Sequence, residues 1–270
     1  MPPAKAPSLT YLTRNLLKHR YLLAQLVKRE VLLRYRGAYF GLLWIFLHPL
    51  IMLAIFAFVF GQIFQPRWTI QASGVPHALN LYCGLIAFNI FGDTVSRSPN
   101  AVRSHPSYVK KIIFPVHILP IVPLGAALVH ASFNLLILIG ALAWVDQLRV
   151  SQFLIPLLLA PLLLFSLGLA WFVSAWGVFL KDMTQIVPVF VQISLFLSPV
   201  FYPADALPSA LQPLFRHNPL GAVIENLRAA LAGAPLDWPT WAIALLISFA
   251  TALLAGLFFH HSRDEFADAI

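Results

Sequence analysis

The chain alternates between long apolar runs and short clusters of charge. Six stretches carry no Asp, Glu, Lys or Arg: residues 37–66, 68–92, 112–145, 150–180, 183–204 and 238–262. Together they hold 167 residues, and the shortest is 22 long. A helix needs about 20 residues to cross the ~30 Å hydrocarbon core of a bilayer. The runs do not alternate with period two, as the strands of a membrane barrel do. The pattern predicts an all-α polytopic membrane protein with six transmembrane helices, near 41–63, 78–95, 121–145, 153–180, 186–202 and 238–259. It divides the chain into an interface segment, 1–36, and a six-span transmembrane domain, 37–270.

The charges between the runs orient these spans. One side collects the eight basic residues before Gly37, then Arg97, Arg103, Lys110, Lys111, Lys181 and Arg263. The other receives Arg67, Arg149, Arg216 and Arg228. The excess of Lys and Arg on cytoplasmic loops then places both termini in the cytoplasm of a multi-pass inner-membrane protein. Composition agrees: 60% of the residues are hydrophobic and 10% charged, against about 45–50% and 25% in soluble domains. The net charge of +8 reads as membrane topology, and no nucleic-acid partner is expected. The single cysteine, Cys83, excludes an intrachain disulfide and a cysteine metal cluster.

The polar segments have patterns of their own. Leu9, Leu12, Leu16, Leu23 and Val27 share one helical arc, opposite Arg14, Lys18, Gln25 and Arg29. Such an amphipathic helix lies in the headgroup plane, as a simple anchor or as a docking element for a partner. The 98–111 segment, between the second and third spans, is short, polar and basic, with a helical turn expected after Pro99. It reads as a loop carrying topology charges or as a docking element for a cytoplasmic subunit. External short helices are expected over 204–232. Asn218 caps the second of them, Pro219 takes its first position and Gly233 stops it. Leu220, Val223, Leu227 and Leu231 share its apolar face, with Glu225 and Arg228 away from that face.

Little here supports chemistry. No Gly precedes a Lys, so the phosphate-cradling G-x-x-x-x-G-K-[ST] loop is absent, as are G-x-S-x-G and H-E-x-x-H. The chain is expected to hydrolyse no ATP, to bind no cofactor or metal, and to have no catalytic residues. His130 and Ser132 lie two apart on a helix and point in different directions. His260 and His261 read as interfacial side chains. Asp93, near the end of the second span, has Arg97 four residues on as an expected partner. No run of carboxylates crosses the spans, which counts against an ion-coupled secondary transporter. A membrane-embedded glycosyl- or phosphoglycosyl-transferase would need convergent acids, and Asp182, Asp205, Glu225 and Asp237 are scattered. Prolines at 49, 115, 120, 123, 156, 161, 188 and 199 interrupt the spans, a feature of helices that line transporter cavities.

Four strings, in order, resemble the permeases of polysaccharide and polyol-phosphate ABC exporters, a group that handles O-antigen, teichoic acid and capsule. They are LVKREVLLRYRGAYFGLLWIFLHPL (Leu26–Leu50), YVKKIIFPVHILP (Tyr108–Pro120), FLKDMTQIVPVFVQISLFLSPVFYP (Phe179–Pro203) and NPLGAVIENLRAALAG (Asn218–Gly233). One departure is Lys181, where Arg is expected before Asp182; the charge is kept. The resemblance implies a homodimer with two copies of a separate cytoplasmic ATPase subunit, which binds the ATP and Mg. It implies export of a lipid-linked glycan, with O-antigen first among the cargoes and capsule or teichoic acid polymer as alternatives. By the same resemblance, Arg97, Asn100, Arg103, Tyr108, Lys110 and Lys111 belong to the segment that couples to the ATPase. Arg29, Arg34 and Arg36 read either as topology charges or as the place where a lipid diphosphate enters, since Arg holds phosphate bidentately. Trp44, Phe56, Phe60, Phe196, Phe201 and Tyr202 are candidates to line the glycan channel, and Asn218, Pro219, Glu225 and Arg228 to form an external gate.

Overall fold

A computed structural model describes residues 18–59, 75–109, 114–202 and 218–269. These form eight principal helices and no strand among the described residues: α1 (Arg20–Tyr35), α2 (Trp44–Phe58), α3 (His77–Arg97), α4 (Ile121–Trp144), α5 (Ala160–Phe179), α6 (Met183–Phe196), α7 (Pro219–Ala232) and α8 (Trp238–Ser262). Phe60, Lys110, Lys111, the leucines at 9, 12 and 16, and the first of the two external helices lie outside the described residues.

The molecule is organised around α3. Of its apolar window 83% is buried, against 11% for the stretch Gly41–Phe58 that contains α2. It touches α2, α4, α5, α6 and α7. Its core side chains Leu81, Ile86, Ile90, Phe91 and Val95 are 3% exposed or less. On its far side α5 and α8 form the most extensive helix pair. The buried positions on α8 are Ala244, Ser248, Ala252, Ala255, Gly256, Phe259 and Ser262, all small except Phe259. A Cβ added at Gly168 of α5 would stand 2.9 Å from the Ala252 backbone. Small residues allow such close approach where no water drives helices together.

Five stretches are long and apolar enough to cross a membrane: Gly41–Phe58, His77–Arg97, Val116–Trp144, Val150–Phe179 and Trp238–Glu265. The expected fifth span, 186–202, is helical over only part of its length. The helix there, α6, has 14 residues and ends at Phe196. At 1.5 Å per residue it is about 21 Å long, short of a bilayer core. Pro199 disfavours helix at Ser198. The turn that follows is held by the Ser198 hydroxyl donating to Ser194 O (2.7 Å) and the Tyr202 phenol donating to Phe196 O (2.6 Å).

Prolines also break the expected span 153–180. A 3-10 turn (Val150–Leu154) and a single helical turn (Ile155–Leu158) precede α5. At that break the Trp241 indole donates to Leu158 O at 3.3 Å. Trp171 likewise donates to His117 O at 3.1 Å, in the turn Val116–Ile118 before α4. Lipid supplies no donors, so neighbouring helices must supply them. The interface helix buries Leu26 and Val31, with Leu22, Leu23 and Val27 partly covered. This stripe lies on the same face as Leu23 and Val27, and α4 supplies its main contact.

Candidate functional site

At the end of the bundle where α1 lies, two pairs of opposite charges interlock. Glu30 and Arg34 sit four apart on α1, and Asp93 and Arg97 four apart on α3. Arg34 donates to both Asp93 oxygens, at 2.9 and 3.4 Å. Arg97 donates to Glu30 at 3.1 Å. The expected pair Asp93–Arg97 is thus replaced by two pairs between helices, since α1 brings an opposite charge to each. The side chains remain about one third exposed. Burial lowers the affinity of Arg34 for its proton, but the hydrogen bond and charge of Asp93 outweigh this and hold the guanidinium cationic.

Two cavities flank α1, with Tyr35 in the wall of both. The first, of about 440 Å³, lies among α1, α2, α3 and α4. Arg34, Trp44, His48, Asn89, Asp93, His130 and Asn134 line it. Tyr35 Oη lies 3.2 Å from His130 Nδ1. Asn134 donates to His130 O (2.7 Å) and accepts from the Tyr82 phenol (2.8 Å). The second, about 490 Å³ and more open, is lined by Lys28, Arg29 and Arg36 with Leu32, Leu33 and Leu42. Among the described residues no carboxylate comes within ion-pair distance of those three cations. The structure therefore splits the predicted arginine trio: Arg29 and Arg36 face one cavity, and Arg34 is engaged in the other.

Over its described residues, 98–109, the segment expected to couple to an ATPase holds two short turns. Ser98–Asn100 is a 3-10 turn and Pro106–Val109 a single helical turn. Ser98 and Pro99 are buried, and a Cβ at Gly177 of α5 would collide with the Pro99 backbone. Val102 is wholly buried. Asn100 is exposed and Arg103 half-buried. Tyr108 stacks between His105 (5.6 Å between ring centres) and Phe114 (4.5 Å). A third cavity, about 380 Å³, separates this segment from α1 and is lined by Arg29, Glu30, Arg97, Asn100, Ser104 and His105 among others.

At the opposite end α7 matches its sequence signals. Asn218 accepts from Leu220 N at 3.1 Å, Pro219 takes the first position, and Gly233 ends the helix at φ +68°. Leu220, Val223, Leu227 and Leu231 are 3% exposed or less. Arg228 departs from its expected outward position: it is buried at 7% exposure. Its Nη1 donates to Glu225 (3.2 Å) and Tyr202 O (3.4 Å), and its Nη2 to Val200 O. The carbonyls left open past α6 attract the cation inward. Asn226 donates to Ala222 O (2.9 Å) and accepts from Asp237 N (2.9 Å), tying α7 to the start of α8.

Of the described candidate channel aromatics, Phe196, Phe201 and Tyr202 lie together at the end of α6, apart from Trp44 and Phe56. Trp44 lines the first cavity, whereas Phe56 packs on the core around α3. Phe196 is 64% exposed, 6.5 Å from the Phe201 ring. Of this lining, His48, Asn89 and Asn134 carry no sequence motif, and His130 stands out only beside Ser132, which the cavity does not include. One signal existed: Asn89 with Asp93, and His130 with Asn134, are polar residues four apart within apolar runs, hence on shared faces.

Comparison with known proteins agrees with this architecture. Over 265 residues, covering 96% of this chain and 99% of the relative, the chain is 26% identical to the O-antigen export system permease protein RfbA of Myxococcus xanthus. It is 21% identical to a protein of the same name from Klebsiella pneumoniae, over 92% of this chain and 95% of that one. It is 24% identical to the polysialic acid transport protein KpsM of Escherichia coli, over 88% and 91%. Residues 21–232 match the family model described as ABC-2 type transporter. The chain thus belongs to the ABC-2 type transporter family, as a multi-pass membrane permease.

Proposed function

We propose that this permease is the membrane subunit of an ATP-driven exporter that moves a lipid-linked polysaccharide of the O-antigen kind across the cytoplasmic membrane. It acts as a homodimer with two copies of a cytoplasmic ATPase subunit, which binds ATP and magnesium. Both termini face the cytoplasm, so the end carrying α1 is the loading end. The observation that carries the reading is the groove of Lys28, Arg29 and Arg36 beside Leu32, Leu33 and Leu42. Cations that have no carboxylate partner among the described residues suit a diphosphate, and the leucines suit the adjoining lipid chain. The O-antigen relatives support the cargo, and the polysialic acid relative supports capsule polymer as the second reading.

In this mechanism Arg29 and Arg36 capture the diphosphate. Arg97, Asn100, Arg103 and Tyr108 pass ATPase motion to the bundle through the Pro99 contact on α5. Phe196, Phe201 and Tyr202 guide the glycan, and α7 stands at the exit. The exposed apolar faces of α2 and α6, with Phe46, Leu50, Phe58, Ile186, Phe190 and Ile193 on them, are covered by lipid and the second copy.

The test is reconstitution of the chain with its ATPase subunit in vesicles loaded with a polyprenyl-diphosphate-linked glycan. Glycan transfer is expected only with both subunits and ATP. Replacing Arg29 and Arg36 together by Glu is expected to abolish transfer while the complex still assembles. Transfer without any ATPase, or undiminished transfer by that variant, sinks the exporter or the capture role respectively. Arg34 is unsuited to this reversal, because a glutamate there would face Asp93.

A further inference from the structure

We infer that the cavity among α1, α2, α3 and α4 is a subsite for one neutral sugar ring carried on a lipid. The inference rests on the export reading and assigns the sugar and the phosphate to opposite sides of Tyr35.

Charge argues first. Arg34 and Asp93 neutralise each other in the cavity wall. A phosphate entering there would have to take Arg34 from Asp93 and then stand beside an unpaired carboxylate, with like-charge repulsion. The neighbouring groove has three cations and no such competitor. The two cavities therefore sort by charge: anion outside, neutral polar group within.

Unused hydrogen-bonding groups argue next. Asn89 and His48 face the cavity and make no hydrogen bond among the described residues. His130 Nε2 is buried and has no partner among the described residues. A polar atom buried between spanning helices, as His130 Nε2 is, is costly to leave unmatched, and a ring of hydroxyls supplies donors and acceptors both to it and to the accessible Asn89 and His48. The Trp44 indole adds a flat apolar face with little rotamer freedom to lose. The volume, about 440 Å³, falls in the range of small-molecule sites and accommodates a single ring. Because Tyr35 lines both cavities, a sugar directly attached to a diphosphate can occupy both at once, with Tyr35 oriented by His130.

The experiment uses the full permease–ATPase complex in nanodiscs and measures binding of two probes: a polyprenyl diphosphate bearing one hexose, and the same polyprenyl diphosphate without it. The wild type is expected to prefer the sugar-bearing probe. Asn89→Leu and His48→Leu, each at an exposed position, are expected to reduce that preference roughly three- to tenfold, the effect of one lost neutral hydrogen bond. Replacing Arg29 and Arg36 by Gln is expected to weaken both probes alike and leave the preference intact. A hexosyl diacylglycerol separates the sources of sugar. Its binding extends the subsite to glycolipids in general; its failure to bind restricts the subsite to diphosphate-linked sugar. Equal binding of the first two probes by the wild type overturns the sugar subsite alone, as does a preference that both variants leave untouched. Binding of neither diphosphate probe by an assembled complex removes the export reading and the subsite with it.

Discussion

Arg228 and Arg34 sit near opposite ends of the molecule, the first on a helix packed against α3 and the second on a helix packed against α4 and ion-paired to α3, and their surroundings differ. Arg228 is buried, with both Nη atoms donating to backbone carbonyls beyond α6 and to Glu225. Arg34 is one third exposed, with a single carboxylate partner at the mouth of a cavity. The first is a scaffold: its donors close the chain where a proline-broken helix leaves acceptors open. The second holds two helices together while leaving the adjoining polar groups accessible. An arginine in an apolar chain is thus functional or structural according to what its donors already hold.

Several substitutions would break or sharpen this contrast. Arg228→Ala should have the largest effect. It strands two carbonyls in the core and costs about 3 kcal/mol, read as a lowered thermal midpoint of the purified protein; an unchanged midpoint would demote Arg228 to a surface residue. Gly177→Val comes next. It pushes Pro99 off α5, with an expected loss of about 2 kcal/mol from overpacking and weaker ATPase coupling in the reconstituted complex. Asn226→Leu is expected to cost about 1–2 kcal/mol by leaving the Asp237 N–H without its acceptor. The smallest effect belongs to the basic end. A double-mutant cycle with Glu30→Gln and Arg97→Gln should give a coupling of about 0.5–1 kcal/mol, the range for partly exposed pairs. A coupling above that of the scaffold contacts would reverse the comparison.

The expectations fared unevenly for physical reasons. The helical class and five of the membrane stretches followed from runs too long and apolar for anything else. The second external helix was legible because its cap, first-position proline and terminal glycine are local signals that act within a few residues. Length failed at 186–202, where the apolar run continues but Pro199 and two side-chain hydroxyls end the helix. Pairing failed at Asp93. Four-residue spacing predicts a partner on the same helix, but it cannot weigh that partner against a cation brought by another. The polar cavity was invisible as a unit, because its residues come from four helices spread between Arg34 and Asn134.

The sequence by itself determined that the chain is helical and lives in a membrane. It also marked where its charges gather and which segment begins and ends α7. These properties depend on composition and on neighbours within a turn or two. Tertiary structure alone decided that α3 is the hub, that Arg228 turns inward, and that Arg34 is divided from Arg29 and Arg36. It alone brought His48, Asn89, His130 and Asn134 around one space. Those outcomes depend on which helix surfaces meet, and residues about 60 or more apart in sequence meet only when packing selects one arrangement of apolar surfaces that are locally alike.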